Sequence, residues 1–356
     1  MGNFIVDYIK NNDIKTISIS TFMELALYDK KNGYYQQQGE KIGKQGDFIT
    51  TSSVSPYFAK VICQWFYKQV KEEVCEPVFC EIGAGNGNFA YEFINHWQEL
   101  TNLPLEYFIV EKSQYHLTKL KNKLSETNFF KIYDDLEQLP SINGVIFSNE
   151  LFDAFRVDIV KYEQGQMFEA KVALNTLEEL EITFEPCIHP LLLDYFSTYH
   201  LPIQPSYLYE VPLAMIDFYT KMCQKLIKGK IITVDYGYFH EELQCSTRKE
   251  GTLRAYKNHQ LQPDFLLNVG TSDLTTHIHW DTLRQVGEHH QLITNEMTRQ
   301  RDFLLQQGIL DFLVATDGNP FSTQAKQNRK VRQLIMDDSL SMAFHVLIQQ
   351  KNKDKV

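Results

Sequence analysis

Val78-Phe79-Cys80-Glu81-Ile82-Gly83-Ala84-Gly85-Asn86-Gly87 is the stretch on which the fold turns. A short apolar run leads into glycines at every second position. Phe89, Ala90, Phe93, Ile94 and Trp97 then recur at three- and four-residue steps, the period of a helix. The pattern predicts a buried strand, a tight turn and a helix. Glycine suits that turn because it tolerates positive φ and lets backbone approach a ligand where a Cβ would collide. A G-x-G-x-G turn of this kind serves several nucleotide-like cofactors and also occurs as an ordinary strand-to-helix loop.

Working outward, Leu105 to Val110 reads as a second strand ending in Glu111, and Ser113 to Leu124 as a helix. An acid at the tip of the second strand is where a doubly wound sheet accepts hydrogen bonds from a ribose diol. Dinucleotide and S-adenosylmethionine enzymes share that device. The dinucleotide fingerprint asks for glycine at position 88, close under a pyrophosphate, and Asn88 stands there. Adenosylmethionine has no pyrophosphate, which favours it and disfavours a nicotinamide oxidoreductase.

Alternation continues downstream. Phe129 to Tyr133 reads as a strand ending in Asp134-Asp135, and Gly144 to Ser148 as another ending in Asn149-Glu150. Strands alternating with helices imply a parallel sheet with crossovers. From Arg156 to Val172 the period switches to two around Gln164-Gly165, which predicts a hairpin. Residues 175–208, with prolines and aromatics, read as an insertion over one edge. Pro212 to Ile227 reads as an amphipathic helix stopped by Gly229, and Lys230 to Val234 as a buried strand before Asp235-Tyr236-Gly237. Leu292 to Met297 is the expected final strand, with helices from there to Lys353.

Ahead of the glycine turn, residues 1–30 read as helical and the stretch to Gln45 as a loop. Gly46 to Ser53 precedes a strong helix from Pro56 to about Val74, and its hydroxyls suit either an N-cap or a ligand contact. The expected division is an N-terminal helical region with a cofactor-capping loop (1–75), a core (76–298) with an insertion at about 156–208, and C-terminal helices (299–356).

The 356 residues are 43% apolar, enough for a large core in one or two domains. A net charge of -10 argues against generic nucleic-acid binding and suits a basic protein or peptide partner. The six cysteines lack C-x-x-C spacing and read as reduced, which leads us to expect a cytoplasmic protein. No run approaches a membrane span, and no signal pattern opens the chain. Nothing in the sequence decides the quaternary state, which leaves a homodimer open.

With these pieces in order, the chain resembles the MidA family, which includes a mitochondrial complex I assembly methyltransferase and bacterial relatives. The matching stretches are Gly33-Tyr34-Tyr35, Gly46-Asp47-Phe48-Ile49-Thr50, the glycine turn, Val110-Glu111, Asn149-Glu150-Leu151-Phe152-Asp153-Ala154, Asp235-Tyr236-Gly237, Gly251-Thr252-Leu253-Arg254-Ala255-Tyr256 and Asp273-Leu274-Thr275. Asp302-Phe303-Leu304 and Phe344-His345-Val346-Leu347 extend it across nearly the whole chain. The resemblance implies a class I, S-adenosylmethionine-dependent methyltransferase fold: a Rossmann-like α/β protein with a seven-stranded sheet and helices on both faces. It also implies a protein arginine acceptor, as in the mitochondrial member. The chain departs from the family at Ser52-Ser53, where Pro-Glu is usual, and at Arg156, where proline is usual.

Methyl transfer from a sulfonium is an in-line displacement, so the protein mainly aligns nucleophile, carbon and sulfur; alignment supplies up to ~7–11 kcal/mol. An arginine acceptor stays charged to pH above about 12, so carboxylates must orient it and leave one nitrogen nucleophilic. Glu150 and Asp153, beside Asn149 at the end of the fourth strand, are the candidates; the alternatives are a solvated edge for Glu150 and a helix cap for Asp153. The loop of Glu81, Gly83, Ala84, Gly85, Asn86 and Gly87 is expected against the cofactor, and Glu111 on its diol. Asp134 or Asp135 accepts from the adenine amine, with Asp135 favoured, and Asp47, Thr50 and Ser52 close over it. Asp235, Arg254 and His277 are further acceptor-side candidates. His277-Ile278-His279 and His289-His290 lack a third and fourth ligand, so no metal is expected. The competing reading is an assembly factor that binds adenosylmethionine without turnover.

Overall fold

The structure, a computed structural model, describes residues 4–12, 14–36, 55–125, 130–257, 260–316, 318–336 and 343–352. Asp47, Thr50 and Ser52 lie outside the described residues.

In chain order, α1 (Phe4–Asn11), β1 (Thr16–Ser18) and α2 (Ile19–Tyr28) open the protein, and α3 (Pro56–Lys71) follows. Next come β2 (Val78–Ile82), α4 (Asn88–Leu100), β3 (Glu106–Val110), α5 (Gln114–Lys123), β4 (Phe130–Tyr133) and β5 (Ile142–Asn149). The middle holds β6 (Asp158–Glu163), β7 (Gln166–Leu174), β8 (Leu180–Pro186), α6 (Pro190–Thr198), β9 (Leu208–Val211), α7 (Leu213–Lys225) and β10 (Leu226–Tyr238). Then follow α8 (His240–Leu243), β11 (Arg254–Lys257), β12 (Gln260–Leu261), β13 (Asp273–Thr275), β14 (Ile278–His279) and α9 (Trp280–His289). The chain closes with β15 (Ile293–Arg299), α10 (Gln300–Gln306), α11 (Thr323–Arg332) and β16 (Phe344–Lys351).

Two compact units share these elements. One comprises Met1–Lys41, Phe152–Tyr219 and Gly237–Val286, the other Ile42–Leu151, Thr220–Tyr236 and Gly287–Val356. The units interleave along the chain.

In the second, parallel-sheet unit the strand order is β15-β16-β10-β5-β2-β3-β4. Strands β2, β3, β4, β5 and β10 run parallel, and β16 alone is reversed, antiparallel to both β10 and β15. This is the expected seven-stranded ladder. The sequence reading placed helices after Met297 and made that strand the last; β16 corrects it. Phe344-His345-Val346-Leu347-Ile348-Gln349 is buried throughout, and a short buried strand carries no alternation to tell it from a helix. Gly229 is likewise no helix stop. It lies inside β10 with φ +116°, and a Cβ there would stand 1.9 Å from the Gly144 carbonyl oxygen. Phe79 of β2 anchors the core, its ring 4.2 Å from Phe93 and 5.2 Å from Phe66. Ser55 caps α3 by accepting from the Tyr57 amide, with Pro56 at the first helical position.

The other, antiparallel unit holds a sheet of order β1-β7-β6-β9 with β8 on β7, and a three-stranded sheet β12-β11-β13. The expected β6–β7 hairpin is present, its two turn residues Gln164 and Gly165 at φ +50° and +83°, as a type I′ turn requires. The uniformly helical reading of residues 1–30 is corrected by β1, whose three residues pair with β7. Its Ser18 also caps α2 by accepting from the Thr21 amide. Strand β14 pairs with the last two residues of β10, Gly237 and Tyr238, as an eighth strand of the larger sheet.

Candidate functional site

At the end of β2 the chain turns through Gly83, Gly85 and Gly87 with φ of +76°, +55° and +76°. Three left-handed residues within five positions are open to glycine and costly for other side chains. The Gly83 amide donates to the Val110 carbonyl at 2.8 Å and the Gly87 amide to the Ala84 carbonyl at 3.0 Å. Gly87 starts α4, and Asn86 steadies that start by accepting from the Asn88 amide. The result is a backbone cradle at the N-terminus of a helix, on the carboxyl side of parallel strands, where open α/β sheets bind ligands.

Glu111, one residue beyond β3, reaches into that cradle. Its Oε2 accepts from the Gly85 amide at 2.9 Å and its Oε1 from the Ser113 amide at 2.8 Å. Burial nevertheless holds its carboxyl above the usual range, against these amide bonds. Glu111 thus fixes the loop; a diol would approach its remaining lone pairs. Glu81 sits within β2 and is buried, with Tyr107 donating to Oε2 at 2.7 Å. Burial pushes its carboxyl up to about 8, so it is uncharged at neutral pH and supports the loop from the core.

Beside β2, β5 ends in Asn149 and Glu150. The Asn149 side-chain amide donates to Glu150 Oε1 at 3.2 Å. Its own Oδ1 is buried and has no hydrogen-bond partner among the described residues. Glu150 holds φ +50° while its amide donates to the Val234 carbonyl. The next residue, Leu151, reaches the glycine loop: a Cβ on Gly83 would stand 2.9 Å from Leu151 Cδ1. A non-glycine residue in the left-handed region and an unsatisfied buried acceptor both mark a place where the fold gives up stability.

After β4, Asp134 and Asp135 are exposed. Asp135 accepts from the Glu137 amide at 2.7 Å and so caps the turn that follows. That engages one of the two oxygens of the carboxylate favoured for adenine. Asp235 in β10 is fully buried and accepts from the Tyr236 amide.

Asp153, Arg254 and His277 belong to the antiparallel unit. Asp153 Oδ2 accepts from the Thr275 hydroxyl at 3.5 Å, and its backbone carbonyl accepts from the Thr276 amide at 2.9 Å. The Arg254 guanidinium donates to the carbonyls of Leu253 and Gly251. His277 stacks on Tyr238, and burial followed by the charges of Arg254 and Arg248 lowers its imidazole to about 4. Its backbone amide donates to Thr252 Oγ1. His279 accepts or donates at Nδ1 with the Tyr195 hydroxyl at 2.7 Å. Among the described residues no three His, Cys, Asp or Glu side chains gather as a metal would need.

Sequence reasoning missed Glu210 on β9. It is fully buried and accepts from the Thr252 and Leu253 amides at 2.5 and 2.9 Å, shaping the loop that carries Arg254. A lone acid in an apolar strand was its only signal.

Residues 58–298 match the family described as "Putative S-adenosyl-L-methionine-dependent methyltransferase". The mouse mitochondrial protein arginine methyltransferase NDUFAF7 is 23% identical over 349 residues, covering 86% of this chain and 75% of that protein. The fruit-fly homologue is 24% identical over 301 residues, 76% and 67% of the two chains. A Burkholderia thailandensis protein crystallised with S-adenosyl-homocysteine superposes with a TM-score of 0.88 at 23% identity, covering 99% of this chain and 92% of that one. With the glycine cradle, the acid at the tip of β3 and a single reversed strand β16, the chain belongs to this family of S-adenosylmethionine-dependent methyltransferases, the MidA family.

Proposed function

We propose that the protein methylates a side-chain nitrogen of a protein, the guanidinium of arginine, and that Asn149 and Glu150 receive it. The observation that carries this is the buried Asn149 Oδ1, without a hydrogen-bond partner among the described residues, beside the Glu150 carboxylate at the end of the strand next to the glycine loop. An acceptor left unsatisfied costs about 1–3 kcal/mol, and a substrate N–H supplies what it lacks. The arginine methyltransferases among the relatives support the choice of acceptor, and the acidic net charge suits a basic segment around it.

The cofactor brings an electrophilic methyl carbon on a sulfonium. The backbone turn of Gly83 to Gly87 and Glu111 hold its position. Glu150 orients the guanidinium by accepting one N–H and draws its positive charge to that side, while Asn149 Oδ1 accepts another. The third nitrogen is then free to attack the methyl carbon in line: the N–C bond would form as the C–S bond breaks, its electron pair would stay on sulfur in the departing S-adenosylhomocysteine, and the methylated nitrogen would give up one proton to solvent. Glu150 follows directly on the last residue of β5, so the carboxylate has little freedom to drift, and its left-handed backbone fixes the direction in which it leaves the strand.

Tritiated methyl transfer onto extract proteins, followed by hydrolysis and amino-acid analysis, tests this reading. Methylarginine is expected with wild type and is lost with Glu150→Gln or Asn149→Ala. Label on another amino acid overturns the acceptor assignment. Cofactor binding with no transfer to any protein leaves the assembly-factor reading.

A further inference from the structure

We propose that the outer edge of β8 is a docking strand for an extended basic segment of the protein substrate, which it takes up as an added antiparallel strand. The proposal rests on the reading of a protein substrate and names a surface that holds it; every residue it uses lies within the antiparallel unit.

Strand β8 pairs with β7 and, among the described residues, with no other strand. The ladder shows which of its backbone groups are spent. Just outside the paired residues the Asn175 amide donates to the Glu179 carbonyl and the Cys187 amide to the Met167 carbonyl, each at 2.9 Å. Both bonds are in phase with the pairs Ala173–Glu181, Lys171–Thr183 and Glu169–Glu185, and bonded pairs alternate along an antiparallel ladder. Glu181, Thr183 and Glu185 therefore turn their backbone toward β7. Leu180, Ile182 and Phe184 turn N–H and C=O outward, where no backbone group among the described residues meets them. Pro186, which has no N–H, closes the edge.

Side chains alternate across the strand. Leu180, Ile182 and Phe184 line one face, half-buried, while Glu181 and Glu185 stand exposed on the other with Thr183 between them. Lys161 already lies over the Phe184 ring at 4.1 Å, so the apolar face has its cation. On the acidic face Lys171 is taken up by Glu169. Glu185 Oε1 accepts from the Thr16 hydroxyl at 3.2 Å, and the residue remains exposed. Ahead of the strand, Glu178 pairs with Lys10 and Glu179 accepts from the Asn175 side-chain amide.

Charge selects the occupant. A strand bonded to Leu180, Ile182 and Phe184 meets Glu181 and Glu185 in the non-bonded pairs, where facing side chains come closest, with Cα atoms about 4.5 Å apart. A second copy added antiparallel about Thr183 would set each Glu181 against a Glu185, and like charges directly opposite destabilise a sheet. The edge thus repels its own kind, which is how exposed edges avoid self-pairing. A foreign strand with Lys or Arg at two positions four apart satisfies both glutamates, and apolar residues either side of their midpoint fall beside Ile182 and Phe184. The backbone bonds of strand addition give such a segment its hold, and the glutamates give the choice of sequence. Antiparallel addition continues the pattern of this sheet, in which every pairing is antiparallel.

Fluorescence anisotropy with the labelled peptide acetyl-Thr-Lys-Val-Thr-Val-Lys-Thr-amide tests this on the full chain. The peptide holds no arginine, so its binding is independent of the acceptor assignment. It is expected to bind at least tenfold more tightly than the same peptide with glutamate for lysine. N-methylation of both valine amides, which removes the strand's donors and keeps its side chains, should weaken it tenfold or more. Glu181→Lys combined with Glu185→Lys should reverse the preference, taking the glutamate peptide at least tenfold better; unchanged S-adenosylhomocysteine affinity shows that this variant is folded. No binding of the lysine peptide at millimolar concentration, equal binding of the two charge forms, full affinity of the N-methylated peptide, or a double variant with the wild-type preference each overturns the proposal. Self-association of the chain that the double variant loses also overturns it, by giving the edge to a second copy. If methylarginine never forms while the reversal of preference holds, the acceptor assignment falls and this surface remains. Methylarginine formed by a wild type that binds neither peptide keeps the acceptor assignment and removes the surface.

Discussion

The Gly85 amide donates to Glu111 Oε2 at 2.9 Å, so the acid at the end of β3 holds the loop at the end of β2 in shape. Hydrogen bonds to a charged group contribute about 1.5–3 kcal/mol each. Glu111→Ala is therefore expected to weaken S-adenosylmethionine binding at least tenfold and to lower the melting temperature as well. Gly85→Val should abolish binding outright, since φ +55° and a branched Cβ conflict. Calorimetry on both variants checks this; a Glu111→Ala protein with wild-type affinity contradicts it.

Glu81 makes stability depend on pH. Its carboxyl is pushed up to about 8 in the folded protein, mainly by burial, against an ordinary 4.5. Between those values the unfolded chain has lost the proton and the folded chain keeps it. Stability from this group is thus greatest at low pH, falls as pH rises from about 4.5 to about 8, and levels beyond. Glu81→Gln, which keeps an acceptor for Tyr107, should flatten melting temperature across that window. Equal slopes for the two proteins would refute the assignment.

Glu150 trades backbone ease for position. At φ +50° a non-glycine residue costs about 1–2 kcal/mol, offset in part by the 0.5–1 kcal/mol that glycine loses in entropy. Glu150→Gly should hold or raise thermal stability by up to about 1 kcal/mol while transfer falls at least a hundredfold. A destabilised variant would show that Glu150 serves the fold and not the chemistry.

Glycines in β5 and β10 sort by space. At Gly144 a Cβ would meet the Val78 carbonyl oxygen at 2.1 Å, and at Gly229 the Gly144 oxygen at 1.9 Å, whereas Gly165 has nothing within 4 Å. Alanine at 144 or 229 should cost more than about 3 kcal/mol, because backbone must move. Alanine at 165 should cost only about 1 kcal/mol, for its left-handed φ. Urea titration of the three variants gives the order directly.

What could be read in advance divides by how local the signal is. Residues 78–97 were legible because an apolar run, alternate glycines and a helical period sit side by side. The strand end at Asn149-Glu150 was legible from the apolar run before it. Phe344 to Gln349 misled because a strand buried on both faces shows no alternation, and its insertion between β10 and β15 is set by residues more than forty positions away. Asp153 gave no local sign of its bond from Thr275, 122 positions on, which forms only once the chain has folded. Asp135 caps a turn through one carboxylate oxygen, and an acid after a strand announces that role and a ligand contact in the same way.

The place of β16 also bears on synthesis. Strand β15 joins the larger sheet only through β16, and β16 fills the slot beside β10. Until β16 has left the ribosome, β10 presents an open edge rich in Ile231, Ile232 and Val234, and β15 has no neighbour in the sheet. A premature stop before Phe344 would leave that slot open to strands of other chains, so such products should aggregate rather than accumulate as shortened enzyme.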